Sequence, residues 1–170
     1  MNITSGGEAM AQRGYAIAAF RETDLWRCEP LPPAVLGDLG VLLQALRSQP
    51  AEGGPFVVAS VDDEFFLVAR LDGIRISLLL SDLTAAVDYP LAEQVLDRLG
   101  EDPPDEEELD EIWPIGDLDM FADLGLPEDE MEQLLDDIDA YPDEIVESIM
   151  ERIGLAEPFQ QAIESARVAL

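Results

Sequence analysis

Three strand-like runs in close succession, "PFVVASV" (55–61), "EFFLVARL" (64–71) and "IRISLLLS" (74–81), constrain the fold more than any other stretch. Asp62–Asp63 separates the first pair and Asp72–Gly73 the second. Asp-Gly between two β-rich runs signals a two-residue hairpin, because glycine takes positive φ at no steric cost. The three runs therefore predict an antiparallel meander.

Upstream, "GYAIAAFR" (14–21) and "LWRCEP" (25–30) predict two further strands joined through Glu22–Asp24. Val35, Leu39, Leu42 and Leu46 then recur at helical spacing, with Leu36 and Leu43 beside them and an alternative break near Gly37. "PLAEQVLDRLG" (90–100) predicts a second helix, with Pro90 at its start and Gly100 just past its end. The order β-β-α-β-β-β-α suits an α+β fold: a five-stranded antiparallel sheet with helices against one face. Longin-like and profilin-like domains share that order, a likeness of fold that carries no activity.

Charge divides the chain. Residues 1–80 hold ten acids and six arginines, a net of −4, whereas residues 81–170 hold 28 acids and three arginines, a net of −25. Such a field repels nucleic acid and anionic membrane and attracts basic protein surfaces or cations. With one cysteine, Cys28, and no apolar run of membrane-spanning length, a cytoplasmic setting is expected. Four segments follow: a flexible leader (1–13), an α+β sheet domain (14–100), an acidic linker (101–111) and an acidic helical region (112–170). The last would pack on the sheet domain or on a partner.

That helical region carries apolar faces at i, i+3, i+4 spacing, as in Met131, Leu134, Leu135 and Ile138. Many of its acids follow Pro127 and Pro142, where carboxylates favour the positive end of a helix dipole. The linker acids lack that explanation. Asp105, Glu106, Glu107, Glu108, Asp110 and Glu111 precede an apolar cluster that begins at Ile112 and Trp113. Residues 112–126 are expected to dock, with Trp113 seated in a groove. The six acids and Trp113 form the candidate partner-binding set.

Catalysis is disfavoured by elimination. With no histidine and no lysine, the chain lacks an imidazole base, a Schiff-base amine and a Walker A lysine. Cys28 lies in a strand-like run and suits a small core residue better than a nucleophile. Carboxylate pairs remain available for acid–base chemistry, but no framework marks one out. No EF-hand register fits, since loops begun at Asp117 or Asp137 put Phe121 or Tyr141 at the third ligand position. No catalytic residue, metal site or cofactor is therefore assigned.

"EPLPPAVLGDLGVLLQALRSQP", "LLLSDLTAAVDYPLAEQVLDRLG", "DEIWPIGDLDMFADLGL" and "AYPDEIVESIMERIG" together resemble the actinobacterial tRNA adenosine deaminase-associated proteins. The likeness runs over about residues 14–165 and keeps the order of the segments. It implies a neighbour of the deaminase rather than the deaminase itself. The zinc enzyme's H-x-E … P-C-x-x-C pattern has no counterpart in a chain without histidine and with one cysteine.

The expectation is a non-catalytic acidic accessory or regulatory protein that binds a basic surface, with the tRNA adenosine deaminase as first candidate. A nucleic-acid mimic or a chaperone for another basic client is one alternative. A carboxylate- or metal-dependent enzyme is the other.

Overall fold

Thr23 and Asp24 both take positive φ, 49° and 66°, and close a two-residue turn between β1 (Gly14–Glu22) and β2 (Leu25–Pro30). They do so in a computed structural model that describes residues 14–105, 107, 109, 112–137 and 139–168. The meander follows as β3 (Phe56–Val61), β4 (Phe65–Asp72) and β5 (Arg75–Leu80). Its second turn is centred on Gly73–Ile74 rather than Asp72–Gly73. Asp72 still pairs with Arg75, and Gly73 supplies the positive φ of 64°.

Among the described residues the sheet has six strands, not the five expected. Ile115–Gly116 forms a short β6 against Leu79 and Leu80, giving the antiparallel order β2-β1-β3-β4-β5-β6. Nothing in the sequence of 112–116 alternates like a strand, and its pairing comes from tertiary docking.

Among the described residues five α-helices accompany the sheet: α1 (Leu39–Arg47), α2 (Pro90–Leu99), α3 (Glu128–Leu135), α4 (Pro142–Arg152) and α5 (Ala156–Val168). The break near Gly37 is the one adopted. A 3-10 turn at Pro33–Leu36 stops there, and Asp38 starts α1 afresh by accepting from the Gly40 and Val41 N–H groups. Losing that cap in Asp38→Ala should cost about 1 kcal/mol, read as a lower urea midpoint at unchanged slope.

Helices lie on both faces of the sheet rather than one. Alternate strand residues, among them Ala18, Val57, Leu67 and Leu80, form one cluster with Leu42 and Leu46 of α1 and Leu91 and Val95 of α2. The intervening residues, including Ile17, Phe56, Val58, Phe66 and Leu79, form a second cluster. Phe121, Leu126, Met131, Ile149 and Phe159 cover it from the C-terminal part of the chain. Every residue of β3 is buried as a result. Among the described residues no helix is long and apolar enough to cross a membrane.

Candidate functional site

The segment that leads from α2 to the second face carries the candidate set. Asp105 and Glu107 are exposed, while Glu106, Glu108, Asp110 and Glu111 lie outside the described residues. Two polar contacts hold the main chain of Trp113. Its N–H donates to Asp82 Oδ1 at 3.2 Å, and its carbonyl accepts from the Leu83 N–H at 2.8 Å. Trp113 as a residue keeps 43% of its surface accessible, alongside exposed Leu109 (42%) and Ile112 (55%).

The residue that docks this segment in the core is Phe121. Its ring is fully buried, edge-on to Phe56 with centroids 4.8 Å apart. The expected anchor is therefore eight residues further along than Trp113, and the tryptophan stands at the surface.

Phe121 owes its position partly to Arg70, which sequence reasoning missed. The Arg70 guanidinium is buried and lies 5.6 Å from the Phe121 ring centroid. All its N–H donors are used. Nε donates to the Gly54 carbonyl at 2.9 Å and Nη2 to the Gly53 carbonyl at 2.9 Å. Nη1 donates to the Met120 carbonyl at 2.5 Å, and both Nη atoms reach the Asp123 carboxylate at 2.6 and 3.0 Å. Gly53 and Gly54, each at φ 76°, let the loop turn its carbonyls inward, and a Cβ on Gly54 would sit 2.8 Å from Nη2. One side chain thus ties a loop, β4 and the 120–123 turn together.

A cleft of about 570 Å³ opens beside this node, lined by Asp72, Arg75, Ser77, Asp119 and Asp123 among others. Its lining is largely polar. Hydrogen bonds from Arg70 hold the Asp123 carboxyl below its usual range, so it stays ionised at neutral pH. A smaller cavity of about 140 Å³ is lined by Tyr15, Asp143 and Phe159. There the Ser60 hydroxyl donates to Asp143 Oδ1 at 2.6 Å and fixes the start of α4. Burial, then the Asp143 charge, pushes the Tyr15 phenol well above its ordinary pKa.

Cys28 and Tyr89 are both pushed up to about 12, first by burial, and for Tyr89 then by its hydrogen bond to Asp62. Every shift resolved among the described residues thus moves a group away from neutrality. Among the same residues, no three of His, Cys, Asp and Glu are grouped to hold a metal ion.

No solved structure matches this chain. It does have a relative in sequence. Protein Rv3753c of Mycobacterium tuberculosis (strain ATCC 25618 / H37Rv) is 39% identical over 153 residues, covering 89% of this chain and 88% of that one. Residues 14–156 match the model of a family described as Rv3753c-like tRNA adenosine deaminase-associated protein. That match takes in the sheet, the Trp113 segment and the Arg70 node at once, and the chain belongs to this family.

Proposed function

We propose that this protein is a non-catalytic accessory subunit that docks on a basic protein surface, the tRNA adenosine deaminase first, through residues 101–113. One observation carries this reading: Leu109, Ile112 and Trp113 are exposed together within the most acidic stretch of the chain. Large apolar side chains that stay in water beside dense like charge suit an interface with apolar anchors and a charged rim. The family's description supplies the partner's name. A tRNA-binding enzyme presents the kind of positive face toward which a net charge of −25 over residues 81–170 would steer. The absence of histidine and lysine, and pKa shifts that run away from neutrality, support a role without catalysis.

The test is direct binding of the two purified proteins at low ionic strength. Neutralising Asp105, Glu106, Glu107, Glu108, Asp110 and Glu111 to Asn or Gln should leave the fold intact and slow association at least about 10-fold. The effect should shrink at high salt, where screening removes the steering. If the two proteins neither co-elute nor change each other's tRNA binding, the deaminase is not the partner.

A further inference from the structure

We propose that the outer edge of β2 pairs with the same edge of a second copy, so that one sheet runs through a two-fold dimer. β2 is the outermost strand of the sheet. Its hydrogen-bonding phase follows from the hairpin: the Leu31 N–H donates to the Ala16 carbonyl, and the register runs from Glu22↔Leu25 to Ile17↔Pro30. Leu25, Arg27 and Glu29 therefore point their main-chain groups at β1, and Trp26, Cys28 and Pro30 point theirs outward. Among the described residues no neighbouring strand takes up those outward groups.

An unpaired edge is a template for another strand, and the side chains on this one choose a copy of itself. An antiparallel pairing about a two-fold axis at Cys28 sets Arg27 opposite the partner's Glu29, and Glu29 opposite the partner's Arg27. Each Cys28 exchanges both main-chain bonds with the partner's Cys28. Each Trp26 N–H reaches the carbonyl of the partner's Pro30, which needs no N–H in that role. The same register lays Leu25, 63% exposed in the single chain, against the partner's Leu31.

Arg27 and Glu29 are both exposed, and Arg27 already meets Glu22 at 3.3 Å, so the new pair extends a charge ladder. The edge also belongs to the less acidic part of the chain, residues 1–80 with a net of −4. α5 contacts β2, and among the described residues no strand pairs with the outer edge of β2.

Sedimentation equilibrium of the full chain tests this. It is run at about 0.3 M salt to screen the repulsion between two acidic chains, and at up to about 0.5 mM protein so that a weak interface registers. The expected mass is twice the chain's 18.6 kDa. Arg27→Glu and Glu29→Arg should each weaken the dimer at least about 10-fold by placing like charges opposite one another, and the double swap should restore it. Circular dichroism shows that each variant is folded. A monomer throughout the range overturns the proposal. So does a dimer that both single variants leave unchanged, or a double swap that fails to recover. If net acidity alone governed association, Glu29→Arg would strengthen it, which would overturn the register.

Discussion

Replacing Arg70 with methionine is expected to destabilise the protein by about 2–4 kcal/mol, a large part of the ~5–15 kcal/mol that holds a domain of this size. Methionine fills the stem of the side chain but supplies no donor. The Met120 carbonyl then loses its partner on a buried residue, whereas the carbonyls of exposed Gly53 and half-buried Gly54 lose theirs nearer to water. The buried, stranded acceptor costs about 1–3 kcal/mol, and the lost charge-assisted bonds to the two glycines add to it. Asp123, whose side chain is 64% exposed, returns to solvent at little cost. Lysine should rescue only part of the loss, because a single ammonium on a flexible stem cannot serve four groups in a planar fan.

Urea unfolding of the wild type, Arg70→Met and Arg70→Lys decides it. A shift under about 1 kcal/mol for methionine would show that the loop and the 120–123 turn hold without the arginine. The pH dependence has a definite sign. Asp123 has a folded pKa below its unfolded value of ~3.9, so its share of the pair is present above that pH. It is lost as pH falls through the lower folded value. Neutral and mildly acidic media should leave the node intact.

Arg70 shows why part of this structure was legible in sequence and part was not. The hairpins were readable because turn residues and β-rich runs are local signals: Thr23–Asp24, Asp62–Asp63 and Gly73 all sit where the chain turns. The runs carried a second message. "FVVA" and "FFLVA" are apolar at every position rather than every other one, as suits strands covered on both faces. Against that pattern a lone arginine in "FFLVAR" had to be either at an edge or buried with a full set of partners. β6 gave no comparable sign. Two residues cannot show a period, and their pairing depends on Asp117, whose carboxylate accepts from the Leu78 N–H and whose own N–H donates to the Leu78 carbonyl. The acidic segment was visible as composition. Its main-chain tether to Asp82 and Leu83 is a long-range contact that no local pattern announces.

Phe121→Ala and Trp113→Ala should have opposite phenotypes, and together they separate docking within the chain from docking on a partner. Phe121 is fully buried between Phe56 and Arg70 at the meeting point of β3, β4 and the 120–123 turn. Truncating it removes an aromatic ring from a packed interior and leaves a cavity beside a guanidinium, at an expected cost of about 3–5 kcal/mol. Trp113 gains its position through main-chain bonds that alanine keeps, and 43% of its surface is already in water. Its loss should change stability by under about 1 kcal/mol. An exposed tryptophan beside exposed Ile112, just past a run of acids, is also the type of side chain that dominates interfaces, where truncation costs about 2 kcal/mol or more.

Trp113→Ala should therefore unfold like the wild type and bind the deaminase at least about 30-fold more weakly, chiefly through faster dissociation. Differential unfolding of both variants gives the first half of the comparison. Binding kinetics of the stable one give the second. A destabilised Trp113→Ala would return the tryptophan to a core role. A stable variant that binds the deaminase unchanged would move the interface away from residues 101–113.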